Sequence, residues 1–264
     1  MQWWRRVGVF FFRLQLKSLT GFCYTVVMKL IIGADEAGRG AWAGPLVAAA
    51  VCLKAGKKFN HKLLRDSKKL SPKQREEVFA YLQEVVEIGV GMVTAKEIDS
   101  RGLQQANVLA IERAVQKLNQ IAASRWGGTR NDRLGLQRTN VMAVERAVEG
   151  IKYEVLSRGP GSRVAGPDLH IDYIGGFKKY TTLTDNYSLH KFGESKFPEI
   201  AAASIIAKVT RDRLMVKMAK KFPDYGLELH KGYGTALHQK QLEKLGVTTI
   251  HRQSFAPIKL LRHK

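Results

Sequence analysis

The sequence predicts an α/β fold, a mixed sheet flanked by helices, and three observations predict it. Short apolar runs of strand length stand at 29–34 and 46–53, separated by a glycine-rich connection. Segments with helical start signals and helical apolar spacing follow them. After a long helical region the chain returns to a short apolar run at 169–172 and then to another helix, and strands alternating with helices in this way build a mixed sheet.

Residues 1–27 carry Arg5, Arg6, Arg13 and Lys17 but no acid, with aromatics at Trp3, Trp4, Phe10, Phe11 and Phe12. They are read as an N-terminal extension, disordered or upstream of a true start at Met28, with 28–264 as a single domain. Lys29–Ala34 is the first strand; Gly38, Gly40 and Gly44 mark the tight connection to the second, Leu46–Leu53. Ser71, Pro72 and Gln74 have the spacing of a capping box with proline at the first helical position, ahead of the Val78, Leu82, Val85 stripe. Glu87–Thr94 is read as a third strand, and Thr94 with Glu97 starts the next helix in the same way. Further on come a Gly/Pro-rich loop at Gly159–Pro167, a strand near Tyr187–Lys191, and a long helix from Pro198 toward Lys220. A loop at Phe222–Gly234 and a helix at Thr235–Leu245 follow, stopped by Gly246.

One feature is unusual. Gly102–Val115 recurs at Gly135–Val148, 33 residues on, with only conservative changes. Two copies are too few for a solenoid. The stretch 103–148 is therefore read as a duplicated amphipathic helix, one copy packed on the sheet and the other forming an inserted arm joined through 126–133.

Composition narrows the function. The chain has 44 Lys and Arg against 23 Asp and Glu, a formal charge of +21 and a pI near 10.1, which favours a polyanionic partner such as nucleic acid. Charge alone would equally suit a basic binding module without catalysis. Cys23 and Cys52 have neither zinc-site nor disulfide-framework spacing, which suits a reducing cytoplasm. No apolar run reaches the ~20 residues of a membrane span.

The chemistry rests on carboxylates. Asp35 and Glu36 lie at the end of the first strand, Asp172 ends a later one before Gly175 and Gly176, and Glu194 lies just before the long helix. Strand residues alternate faces, so Asp35 and Glu36 reach one site only if the strand ends with them. Oxygen ligands suit Mg²⁺ or Mn²⁺, and two such ions about 4 Å apart activate water and stabilise the leaving oxygen of a phosphodiester. Ser204 and Lys208 are one helical turn apart and can face the same site, while Asp212, between Arg211 and Arg213, reads as a salt-bridged helix residue. His170 is expected to be packed or exposed, since hard cations prefer oxygen.

Five blocks carry a resemblance: Asp35–Gly40 with Ala43–Pro45, Asp66–Ser71, Ile200–Asp212, His230–Thr235 and Ile250–Pro257. Together, in this order, they resemble ribonuclease HII from about residue 29 to 258. The resemblance implies an RNase H-like fold with a helical C-terminal segment at 222–264, and cleavage on the 5′ side of a ribonucleotide to leave 3′-OH and 5′-phosphate. It implies Asp35, Glu36 and Asp172 as ligands of Mn²⁺ or Mg²⁺. The fourth acidic position is usually Asp; Glu194 stands there, with the same charge and one methylene more reach. Gly38, Arg39 and Gly40 are implied to contact the 2′-OH and neighbouring phosphate, and Tyr233 to pack on the adjoining deoxyribose. Lys68 and Lys69 read as phosphate-positioning groups. The implied partners are RNA/DNA hybrids and ribonucleotide-containing duplex DNA, with no obligate protein partner and a monomeric state.

Overall fold

The computed structural model describes residues 14–17, 23–26, 31–54, 56–64, 70–126, 168–172, 177–182 and 187–261. The first elements lie where the sequence reading expects none: Leu14–Lys17 (β1) and Cys23–Val26 (β2) pair antiparallel, Leu14 opposite Val26 and Lys17 opposite Cys23. Leu-Gln-Leu-Lys alternates with period two, and Tyr24, Thr25 and Val26 favour strand; the abundance of basic and aromatic residues masks that signal.

The sheet begins with Ile31–Ala37 (β3) and Leu46–Leu53 (β4), and the short helix His61–Leu64 (α1) follows. Helix Pro72–Val85 (α2) starts as its spacing requires: Ser71 Oγ accepts from the Gln74 amide at 3.3 Å, and Gln74 Oε1 accepts from the Ser71 amide at 2.8 Å. Val86–Val93 (β5) leads to Ala95–Arg101 (α3), where Thr94 and Glu97 make the same reciprocal cap. These pairs satisfy amides that the first helical turn would leave orphaned. Leu103–Trp126 (α4), Asp168–Asp172 (β6), Phe177–Tyr180 (α5), Tyr187–His190 (β7) and Gly193–Lys196 (α6) come next. Pro198–Ala219 (α7), Leu227–His230 (α8), Ala236–Leu245 (α9) and Ala256–Leu261 (α10) complete the described chain. The elements α1, α5, α6, α8 and α10 are a turn or so long, too short to show helical periodicity in sequence.

The sheet order is β5-β4-β3-β6-β7. β3, β4 and β5 run antiparallel, whereas β6 is parallel to β3 and β7 to β6. The mixed sheet flanked by helices is as the sequence predicts. β4 lies inside the sheet and is buried on both sides: Leu46, Ala48, Ala50 and Cys52 join the core under α4, and Ala49 and Val51 join the core shared with α2 and α7. Glycines let the helices lie close. A Cβ on Gly91 would stand 2.1 Å from the Ala110 carbonyl oxygen of α4, and one on Gly33 would stand 2.2 Å from the Glu199 backbone of α7.

A third apolar cluster, Ala43, Met215, Tyr225, Leu227, Leu242, Ile250 and Ile258, seats the helical C-terminal segment against α7 and the glycine-rich connection. Among the described residues no helix is long and apolar enough to cross a membrane. The first copy of the repeat is the N-terminal half of α4, on the sheet. The second copy, the 159–167 loop, Lys68, Lys69, Gly175 and Gly176 lie outside the described residues.

Candidate active site

Parallel pairing brings two acids together that are far apart in sequence. The last register pair of β3 and β6 is Ala34 with Ile171, so Asp35 and Asp172 are the next residues on neighbouring strands, pointing to the α7 face. Asp35 is only 7% exposed. Its Oδ1 accepts from the Glu36 amide at 2.7 Å, and the Ser204 hydroxyl of α7 donates to its carboxylate. Asp172 Oδ1 accepts from the Gly193 amide at 2.9 Å.

Glu36 faces the other way. Its Oε1 accepts from Asn107 Nδ2 of α4 at 3.1 Å and lies 3.6 Å from Arg39 Nη1, while Oε2 is buried with no hydrogen-bond partner among the described residues. β3 does not end at Asp35–Glu36, as the sequence reading requires for the two to share a site, but continues to Ala37. The two carboxyl groups nevertheless act on each other electrostatically. Burial, then Glu36, and more weakly Asp172, push the Asp35 carboxyl well above the usual range; burial, with a smaller part from Asp172, raises Glu36.

Glu194 follows the glycine that caps Asp172, and it lines a cleft of ≈ 390 Å³ with His61, Lys62 and Phe197. Among the described residues no three His, Cys, Asp or Glu side chains are grouped tightly enough to hold a metal ion. Asp35, Glu36 and Asp172 thus feel one another electrostatically without closing into a ligand shell. His170 is packed, as expected, between His190 at 4.9 Å and Phe197 at 4.6 Å, centroid to centroid.

A second cleft, of ≈ 400 Å³, opens beside the acids. It is lined by Glu36, Gly38, Arg39, Gly40, Ser204, Lys208 and Tyr233, all singled out in the sequence, and by Arg75, Ala37 and Ile205, which were not. Arg75 gives no sequence signal, being one more basic residue in a helix rich in charge. Gly38 has φ 97° and a Cβ there would meet Arg211 Nε at 2.1 Å, so both backbone and packing demand glycine. At Gly40 a Cβ would meet nothing within 4 Å among the described residues, so none of their contacts requires glycine there. Lys208 pairs with Asp212 at 2.9 Å, and its Nζ lies 5.2 Å from the Tyr233 ring centroid.

Sequence reasoning missed two buried arginines. Arg211 donates from Nε to the Pro45 carbonyl and from Nη2 to that of Ala43; Arg252 donates from Nε to Gly44 and from Nη1 to Arg39. Both are fully buried, and burial pushes the Arg252 guanidinium down to about 9. Together they gather the carbonyls of the glycine-rich loop and fix its shape. Both lie inside the matching sequence blocks, but nothing in a sequence distinguishes a buried arginine from a solvated one.

The Ribonuclease HII family model matches residues 32–125 and 173–258. The match breaks across the second repeat copy and resumes one residue after Asp172. Among curated relatives, Ribonuclease HII of Bacillus licheniformis is 38% identical over 232 residues, 88% of this chain and 71% of that protein. That of Thermus thermophilus is 36% identical over 230 residues, 87% of each. Among solved structures, ribonuclease H2 from Pyrococcus horikoshii OT3 has a TM-score of 0.53 at 24% identity, covering 89% of this chain and 97% of that one. The structure of the PCNA:RNase HII complex from Archaeoglobus fulgidus gives 0.52 at 22% identity, covering 86% of this chain and 95% of that one. The two structural likenesses bear on the fold.

Proposed function

The chain belongs to the ribonuclease HII family and is a type 2 ribonuclease H, a hydrolase acting on RNA/DNA hybrids, and from that premise we propose that it also nicks duplex DNA on the 5′ side of an embedded ribonucleotide. The carrying observation is that Asp35 and Asp172 stand side by side on parallel strands next to a buried Glu36 oxygen that has no hydrogen-bond partner among the described residues. Three buried or neighbouring carboxylates in an all-oxygen set are short of positive charge, which fits a hard divalent cation. Asp35, Glu36 and Asp172 would hold Mg²⁺ or Mn²⁺, with Glu194 as the fourth acid. Bound there as a pair, such ions lower the pKa of water and stabilise the charge that develops on the leaving oxygen.

The protein's own groups do the positioning. Gly38, Arg39 and Gly40 line the cleft where the ribose would lie, and the open space over Gly40 admits close approach by a sugar–phosphate backbone. The 2′-OH is the group by which a ribose is told from a deoxyribose. Tyr233 lines the same cleft and would pack on the adjoining deoxyribose. Lys208 and Ser204, one turn apart on α7, face the same cleft, and Lys68 and Lys69 are assigned to phosphate contacts that set register. In the balanced reaction the water oxygen joins phosphorus, the bond from phosphorus to the preceding 3′ oxygen breaks, and that oxygen takes a proton, leaving 3′-OH and 5′-phosphate.

The test is a duplex carrying one ribonucleotide, incubated with Mn²⁺ and either the unsubstituted protein or Asp172→Asn. Cleavage 5′ of the ribonucleotide, lost in the variant and on adding EDTA while salt-sensitive binding persists, is the expected result. Equal cutting by the variant, or binding without any cutting, contradicts the proposal.

A further inference from the structure

Three histidines of the C-terminal segment, none of them used above, are buried together behind Tyr233. His230 and His238 stack with centroids 4.2 Å apart at 15°, and His238 Nε2 lies 3.2 Å from His251 Nε2. His238 is fully buried, His251 1% exposed and His230 8%.

Each neighbour fixes where a ring proton must sit, because a carbonyl can only accept and an amide N–H can only donate. His230 Nε2 lies 2.7 Å from the Tyr225 carbonyl and therefore carries hydrogen; its Nδ1 accepts from the Gly232 amide at 3.1 Å. His238 Nδ1 lies 3.1 Å from the Tyr233 carbonyl and carries hydrogen in turn. His251 Nδ1 accepts from the Thr248 amide at 3.0 Å and sits 2.9 Å from the Thr248 hydroxyl, so its one proton is on Nε2. His251 then donates to His238 Nε2, and every ring has one proton. A further proton on His238 or His251 would set two N–H groups face to face or one against an amide.

We propose that His238, held as the Nδ1–H tautomer by His251, is a positioning residue that fixes the Tyr233 carbonyl and thereby the phenol ring at the wall of the cleft. Burial agrees with this neutral wiring: it pushes His238 and His251 each down to about 4, with His230 also lowered. The Tyr233 carbonyl also accepts from the Thr235 amide at 2.9 Å, and Tyr233 bridges to Ala41, next to Gly40. The Gly232 carbonyl accepts from the Trp42 and Ala43 amides. The turn that the histidines hold is thus the one on which the glycine-rich loop is hung. Arg211, at 5.0 Å, and Lys208, at 5.2 Å, lie over the phenol ring itself.

The inference rests on the reading of Tyr233 as a substrate contact, and two measurements separate the two. Long-range ¹H–¹⁵N correlation spectra of the unsubstituted protein should show hydrogen on Nδ1 of His238 and on Nε2 of His230 and His251. A His238 proton on Nε2 overturns the wiring whatever the protein cuts. In kinetics with the single-ribonucleotide duplex, His238→Asn keeps an amide N–H near the Nδ1 position, whereas His238→Gln places it near Nε2. The Gln variant should raise KM about tenfold, the scale of one lost hydrogen bond, with kcat nearly unchanged, and the Asn variant should restore most of the loss. Equal losses in both, or losses in kcat alone, overturn the positioning role. Failure of the unsubstituted protein to cut the duplex overturns the functional reading, and the spectra still decide the wiring.

Discussion

Adjacent buried carboxylates destabilise the protein that carries them. A folded-state pKa raised above the unfolded value means the ionised form is disfavoured in the fold, so stability is lost as pH rises above the ordinary carboxylate range near 4. Asp35 is such a group, through burial first and Glu36 second. Asp35→Asn removes the charge and keeps an amide for Ser204. Without divalent ions it should melt higher than the parent at pH 7, by a margin that shrinks toward pH 4, and with Mn²⁺ present its cleavage should fall on the order of a hundredfold or more; a melting temperature lowered at pH 7 would contradict the destabilisation by the Asp35 charge. At this scale the sequence shows Asp35, Glu36 and Asp172 as candidates, because carboxylates at apolar strand ends stand out. It does not show Asn107 as the partner of Glu36, nor Arg211 and Arg252 as clamps. Those contacts join residues far apart in the chain, and only packing reveals them.

The elements were legible where their ends carry local chemistry. α2 and α3 begin at the capping boxes their spacing announces, and α9 ends at Gly246 with φ 78°. Helices of a single turn were not, since they lack the length that periodicity needs, and the β1–β2 pair was not, because the basic and aromatic residues around it mask its alternation. β5 shows how packing rather than propensity sets a strand: Gly89 and Gly91 weaken it locally but let α4 rest its backbone directly on the sheet. Gly91→Ala would force α4 outward and should cost about 1–3 kcal/mol in urea unfolding. Because α4 carries Asn107, the same change should lower activity more than the stability loss explains at temperatures where the protein stays folded. An alanine variant as stable and active as the parent would show that α4 does not seat there.

Across the whole molecule the repeat tests which parts the fold needs. Asn107 and Glu112 of the first copy are buried, one on Glu36 and the other accepting from Thr181 and Thr182. The second copy keeps both types, at Asn140 and Glu145, so the sequence cannot say which copy packs; the structure places the first. Deleting 116–148 joins Val115 to Glu149 and sets Ile151 where buried Leu118 stood. The shortened protein should melt within about 5 °C of the parent, a change under ~2 kcal/mol, and keep its activity. An insoluble product would show that residues 116–148 are integral to the core. The proposed activity depends on carboxylates from β3 and β6, with Glu194 of α6, meeting around a divalent ion. Diffraction from crystals soaked in Mn²⁺ measures that directly. An anomalous peak within metal-bond distance, roughly 2.0–2.6 Å, of both the Asp35 and Asp172 carboxylates, with Glu194 drawn toward it, is the predicted result; a peak bound by neither would contradict it.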